Sequence, residues 1–304
     1  MLDWLLKIIG LNRGADIAEL ARRLKLPEAS LRELKPEYRE FTVPKRSGGK
    51  RQITAPSAEL KLMQRRILRR VLAKLNAHPS ATGFESGESF ATNAARHCGK
   101  RIVIHFDVKN FFPSIRSQRV YSYFRYVGWN RAASRLLSKL VTWQDSLPQG
   151  APTSPRLSNL VNYRLDVRLA DLARRYDATY TRYADDISMS LDDESFDLRA
   201  LIGTVFTILR SEGFQPHRGK KFSVRRQHHQ QRVTGLVVNE RVNLPRKTRR
   251  WLRAVEHRAA TSQLPITSPD WRPAKKCTLT PEQLSGWRGI VVMVNRVNES
   301  ESTS

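Results

Sequence analysis

An α+β fold is predicted by three features of this 304-residue sequence. Residues 101–106, RIVIHF, form a continuous β-prone run that leads directly into Asp107. Residues 180–183 and the alternating Ile187, Met189 and Leu191 bracket a tight turn at Ala184-Asp185, which reads as a β-hairpin with two acids at its tip. Segments with apolar residues every three or four positions lie between and after these strands. The resulting order, β, α, α, β-hairpin, α, β, predicts one sheet that carries acids and is backed by helices.

Taken along the chain, residues 1–40 read as a helical extension that opens with the amphipathic MLDWLLKIIGL. Residues 41–53, FTVPKRSGGKRQI, place two short β-prone segments around Ser47-Gly48-Gly49 and predict a hairpin whose tip carries Lys45, Arg46, Lys50 and Arg51. Ser57 is a plausible N-cap for a helix with Leu60, Met63, Ile67, Val71 and Leu75 on one stripe. Lys61, Arg65, Arg66, Arg69 and Arg70 fall largely off that stripe, giving a basic outer face. One helix is expected from about Gln118 through Val141. A Gly/Pro loop, LPQGAPTSP, then gives way to another helix carrying Leu160, Leu165, Val167, Leu169 and Leu172. Residues 198–209 predict a helix and 233–238 a strand, and the NESESTS tail reads as a solvated end.

Charge narrows the function classes. Lys and Arg number 54 against 28 Asp and Glu, a formal net charge of +26, which calls for a polyanionic partner. No apolar run approaches the ~18 residues that would span a bilayer, so integral membrane insertion is excluded. With 40% hydrophobic residues the chain can bury a substantial core, which argues against disorder. Cys98 and Cys277 are the only cysteines, too few for a disulfide framework or a thiolate zinc site, and a reducing, cytoplasmic location is expected.

Asp107 at one strand and Asp185 and Asp186 in a hairpin can converge. Hard divalent cations prefer carboxylate oxygens, so this set beside a basic cleft suits two-metal phosphoryl transfer. An Asp-Asp pair taken alone is more often a solvated turn. The neighbouring residues change that balance. YADD at Tyr183 to Asp186, FDVKNFFPSI at Phe106 to Ile115 and LPQGAPTSP at Leu147 to Pro155 together resemble the reverse transcriptases, in that family's order and spacing. NAARH at Asn93 to His97 and VTGLVVN at Val233 to Asn239 resemble the additional elements of the bacterial retron type.

The resemblance implies a right-hand polymerase fold, with fingers and palm over residues 41–242, a short helical thumb over 243–298 and a flexible tail at 299–304. It implies synthesis of DNA from dNTPs on a cognate structured noncoding RNA, primed from an RNA 2′-hydroxyl to give branched DNA, with an effector protein in antiphage defence. It implies two Mg²⁺ ions, with Mn²⁺ a substitute, held by Asp107, Asp185, Asp186 and the Val108 carbonyl. Asp186 is open to a second role, orienting the hairpin without touching metal. By the same resemblance Lys45 and Arg51 grip the triphosphate, Phe112 closes the sugar pocket with Phe111 as the competing aromatic, and Gln149 and Gly150 pack beside the nascent base pair. Lys220 or Lys221 approaches the leaving group. Asn93, His97, Val233, Thr234 and Gly235, with Arg249, Arg250 and Arg253 of a basic thumb helix, are assigned to RNA. Asn93 and His97 are open equally to a role in loop architecture, and His97 also has a competing structural reading as a packing or hydrogen-bonding residue. Only 65 residues follow Asn239, so a separate ribonuclease H is expected to remove template. The alternatives are another bacterial reverse transcriptase, such as a group II-like one, or an RNA-binding scaffold with the polymerase fold and no turnover.

Overall fold

The computed structural model describes residues 14–44, 48–217, 219, 222–261 and 281–302. The N-terminal helix expected at 1–11, Lys45, Arg46, Lys220, Lys221 and Cys277 lie outside them. Helices α1 (Ile17–Leu24) and α2 (Glu28–Glu33) come first. Strands β1 (Tyr38–Pro44) and β2 (Lys50–Pro56) then pair antiparallel with Phe41 opposite Ile53, the predicted hairpin begun three residues earlier. Phe41 and Val43 are exposed, so the hairpin stands out from the body. Helix α3 (Ala58–Ile67) is capped by Ser57 and runs on through a π turn at Leu68–Leu72. Helix α4 (Phe90–Ala95) starts in a capping box formed by Ser89 and Thr92.

Strand β3 (Ile102–Lys109) follows, and it continues past Asp107, which therefore sits within the strand and not beyond its end. The two phenylalanines after it lie on a one-turn helix, α5 (Phe111–Ser114), entered through Asn110 at φ 46°. The single helix expected over residues 118–141 is two, α6 (Ser117–Tyr126) and α7 (Arg131–Val141). Gly128 at φ 100° ends the first, and Asn130 accepts the Ala133 N–H at 2.9 Å to start the second. Ala15 bridges into this break, and a side chain at Gly14 would meet the Gly128 carbonyl at 2.5 Å.

The next predicted helix also divides at Asn162, into α8 (Ser154–Val161) and α9 (Tyr163–Arg175). Strands β4 (Thr179–Tyr183) and β5 (Asp186–Leu191) form the acidic hairpin as predicted, and α10 (Leu198–Ser211) follows. The chain then makes β6 (Gln215–Pro216) and β7 (Ser223–Arg226). Instead of one strand at 233–238 there is a miniature hairpin, β8 (Arg232–Val233) and β9 (Leu236–Val237). Thr234 and Gly235 both have positive φ, 47° and 86°, the backbone that a two-residue hairpin turn requires. Helices α11 (Arg246–Ala260) and α12 (Pro281–Ser302) complete the described chain. The last corrects the expected flexible tail: residues 299–302 are helical, and Asn298 donates to the Val242 carbonyl at 3.0 Å.

Strand β3 is the centre of the main sheet. It pairs antiparallel with β5 on one side, and with β7 and then β6 on the other, while β4 borders β5. Alternation along β3 sends Ile102, Ile104, Phe106 and Val108 into the larger apolar core with the helices. Val103 faces a second cluster, built from α4, β8, β9, α11 and α12. His105 and Asp107 share the face of Val103, so the acids lie on the side of the sheet away from the larger core.

Candidate active site

Cross-strand pairing brings the predicted acids together. Asp107 of β3 lies directly opposite Asp186 of β5, so the two side chains share a face with β-carbons roughly 4.5–5.5 Å apart. Asp185 occupies the turn between β4 and β5, and its carbonyl accepts the Val108 N–H at 3.0 Å, which ties the turn to the central strand. Ala184 completes the turn at φ 60°, a left-handed conformation uncommon for any residue but glycine. From the other side, His217 N–H donates to the Asp107 carbonyl at 2.8 Å.

Two imidazoles that the motifs did not single out adjoin the carboxylates. His105 Nδ1 is 2.8 Å from Asp186 Oδ1, and His217 Nε2 is 3.3 Å from Asp107 Oδ1. His105 was legible in principle, because it is two residues before Asp107 in a strand and must share its face. Nothing in the sequence places His217 there.

Among the described residues, no three Asp, Glu, His or Cys side chains are gathered closely enough to form a preassembled metal cluster. The donor chemistry nevertheless fits a hard divalent cation. Asp186 Oδ1 is buried, with the His105 imidazole as its near neighbour, and it faces a second carboxylate across the strand pair. Two like charges at that spacing repel unless a cation joins them.

The aromatic pair after Asp107 separates clearly. Phe111 is buried and stacks on Phe214 with centroids 5.5 Å apart, whereas Phe112 is half-buried at the edge of the larger core. Arg51 is exposed on β2 opposite Val43. Gln149 acts here through its backbone: its carbonyl accepts the Thr54 N–H at 2.9 Å, stitching the Gly/Pro loop to β2. Gly150, at φ 138°, lies so near that strand that a β-carbon would be 2.9 Å from the Thr54 carbonyl oxygen, which leaves glycine as the residue that fits.

The residues assigned to RNA fall into two groups. Arg249, Arg250 and Arg253 are exposed on α11, as a phosphate-binding face requires. Asn93 and His97, by contrast, are both enclosed. Asn93 Oδ1 accepts the Thr82 hydroxyl at 2.7 Å. His97 bridges two strands, with Ser190 Oγ and Thr181 Oγ1 each 2.7 Å from a ring nitrogen. Val233 is likewise buried, while Thr234 donates to the Phe90 carbonyl at 2.7 Å and Gly235 is exposed in the turn. That bond, with Ala94 and Val233 in one apolar cluster, fastens α4 to the small hairpin.

Burial holds the His97 imidazole down at about 3, with nearby Arg96 and Lys100 acting in the same direction. The unfolded chain binds its proton near pH 6.5 and the folded one does not, so stability rises with pH through this window. Between pH 7 and 5 the protein is expected to lose about 2 kcal/mol through this residue, at about 1.4 kcal/mol per pH unit below 6.5. Denaturant titrations across that range check it, with His97→Gln expected to show a shallower pH dependence than the parent.

Beneath the acidic turn is a polar cluster that motif reading missed. Arg182 and Asp166 form an ion pair with both side chains fully buried, Nη2 to Oδ2 2.6 Å and Nε to Oδ1 2.7 Å. Tyr180 donates to Asp166 Oδ1 at 2.7 Å. Burial drives the Tyr180 phenol well above its ordinary range, and the Asp166 charge adds to that. Burial opposes the charge on Arg182, but Asp166 outweighs it and the guanidinium stays firmly protonated.

A central antiparallel sheet with opposed carboxylates at a hairpin turn, a projecting basic hairpin before it and a helical pair after it define a right-hand polymerase. Telomerase from Candida albicans, solved with a fragment of telomeric RNA, shares that fold with a TM-score of 0.52 at 11% identity, over 75% of this chain and 48% of that one. Residues 43–238 match the family described as reverse transcriptase (RNA-dependent DNA polymerase), a span that holds all three acids, and the chain belongs to that family, in its retron type. It is 42% identical over 250 residues to the retron Mx65 reverse transcriptase of Myxococcus xanthus, covering 76% of this chain and 58% of that protein. It is 38% identical over 223 residues to the retron Ec86 reverse transcriptase of Escherichia coli, covering 72% of this chain and 69% of the relative. The chain thus spans between about three fifths and two thirds of the length of these relatives. No helix among the described residues is long and apolar enough to cross a membrane.

Proposed function

We propose that this chain is an RNA-directed DNA polymerase that copies part of a cognate structured noncoding RNA into DNA, starting from an RNA 2′-hydroxyl to give branched single-stranded DNA. The observation that carries the reading is the direct opposition of Asp107 and Asp186 beside the turn holding Asp185, inside a family match that spans both. Asp107, Asp185 and Asp186, with the Val108 carbonyl, would hold divalent ions, Mg²⁺ or in its place Mn²⁺, which when bound favour the deprotonated attacking hydroxyl and neutralise charge on the triphosphate.

The chain's own residues bind and orient. Arg51, with Lys45 and one of Lys220 and Lys221, would grip the triphosphate of a dNTP, the guanidinium offering paired donors. Phe112, on the open side of the phenylalanine pair, would wall the sugar pocket and exclude a ribose 2′-hydroxyl. The loop at Gln149 and Gly150 would pack beside the nascent base pair, held there by its stitch to β2. Arg249, Arg250 and Arg253 would take RNA phosphates, in keeping with the net charge of +26. A separate ribonuclease H, a cytoplasmic setting and an effector protein in antiphage defence complete the proposal.

The test is the nucleic acid that copurifies with the protein. DNA joined to RNA through a 2′,5′ branch is the expected product, lost on treatment with a debranching nuclease. Linear DNA extended from 3′-hydroxyl primers would favour a group II-like enzyme, and RNA alone with no primer extension would favour a non-catalytic scaffold.

A further inference from the structure

Arg182 stands two residues before the tip of the acidic turn and is wholly enclosed. We propose that Arg182, clamped by Asp166, is a positioning residue that sets the carboxylate turn and the phenylalanine wall of the sugar pocket relative to each other. The inference rests on the polymerase reading above.

Each of the three guanidinium nitrogens has a partner. One edge meets Asp166 through two bonds, as described. Nη1 then donates to Asn159 Oδ1 at 3.1 Å and to the Ala184 carbonyl at 3.3 Å. That carbonyl belongs to the peptide plane leading into Asp185, so fixing it fixes the direction in which the Asp185 backbone leaves the turn. The guanidinium carbon also lies 5.6 Å from the Phe111 ring centroid, and Phe111 meets Phe112 edge-on at 5.5 Å. One planar cation therefore touches the turn directly and the sugar wall through a single intervening ring.

Its backbone is held as firmly. Arg182 N–H donates to the Ser80 carbonyl at 2.7 Å, and the Arg182 carbonyl accepts the Thr82 N–H at 2.9 Å. Asn159 in turn donates to the Gly83 carbonyl at 2.5 Å, and a side chain at Gly83 would meet the Ala184 nitrogen at 3.0 Å. The turn thus rests on a closely fitted base that Arg182 and Asn159 tie together. A lysine could keep the charge opposite Asp166, but it has no planar fork to reach Asp166, Asn159 and Ala184 at once.

Arg182→Lys tests this. Polymerisation is expected to slow by about 10- to 100-fold, since small misplacements of reacting groups cost that much. The Mg²⁺ concentration for half-maximal rate should rise and the preference for dNTPs over rNTPs should fall, with Phe112→Ala as the reference for a lost wall. Mn²⁺ titration followed by electron paramagnetic resonance, without nucleic acid, should show weaker binding than the parent. Asp166→Asn, which keeps the shape of the clamp and removes its charge, should move the Mg²⁺ midpoint, the sugar preference and the Mn²⁺ affinity in the same direction if Arg182→Lys does not fold. Slower synthesis with sugar preference, Mg²⁺ midpoint and Mn²⁺ affinity all unchanged would overturn the inference, leaving Arg182 a purely structural residue. If the parent binds Mn²⁺ but extends no primer, the polymerase reading fails instead, and the Mn²⁺ comparison still decides whether Arg182 sets the turn.

Discussion

Asp107→Asn and Asp185→Asn are each expected to lower DNA synthesis by at least about 10³-fold, since charge stabilisation by bound ions is worth several kcal/mol and each 1.36 kcal/mol is a factor of ten. The substitution changes one oxygen to an amide nitrogen and removes a negative charge where the structure offers no other carboxylate pair across the same strands. The backbone bonds that shape the site, from Val108 to Asp185 and from His217 to Asp107, do not depend on either side chain. The fold should therefore survive. Primer extension under single-turnover conditions, with circular dichroism as a check on folding, measures the effect. Asp186→Asn separates the two roles open to that residue: a comparable loss makes it a ligand, whereas a loss of tenfold or less makes it an orienting group opposite Asp107.

The largest stability effect is expected at Asp166. Asp166→Ala leaves the Arg182 guanidinium enclosed with no counter-charge, and breaking a buried pair from one side costs about 3–5 kcal/mol. Tyr180 loses its acceptor at the same time. Against a total stability of about 5–15 kcal/mol for ordinary domains, that is a large fraction. Chemical denaturation of the parent and variant checks it. A change below about 1 kcal/mol, the range of exposed pairs, would mean that water reaches the cluster.

Much of the site was readable because it depends on short-range rules. Strand alternation and a tight turn place Asp185 and Asp186 at a hairpin tip, and the motif order ties them to Asp107. What alternation could not supply was the register between β3 and β5, which makes Asp186 and not Asp185 the direct partner of Asp107. The helix over residues 118–141 was misjudged because its apolar spacing runs on through Gly128, and the break is set by a non-local segment, Gly14 and Ala15, crossing there. His97 and Asn93 carry motif-like spacing, yet burial depends on what packs above them, and that arrives from β4, β5 and the loop before α4. The Arg182–Asp166 pair was hidden for the same reason. Asp166 looks like an ordinary acid in the first turn of a helix until β4 is laid against it.

The second apolar cluster has a consequence for the order in which the protein can be made. The larger core and the sheet are complete once the chain has been synthesised through Arg226, so the acids can assemble before α11 and α12 are made. The cluster over Val103 is different, because it joins Ala91 and Ala94 to Val294 and Val297 and stays open until α12 emerges. Contacts so distant along the chain form late. A nascent chain would therefore carry the acids in place before α12 seals the sheet's other apolar patch.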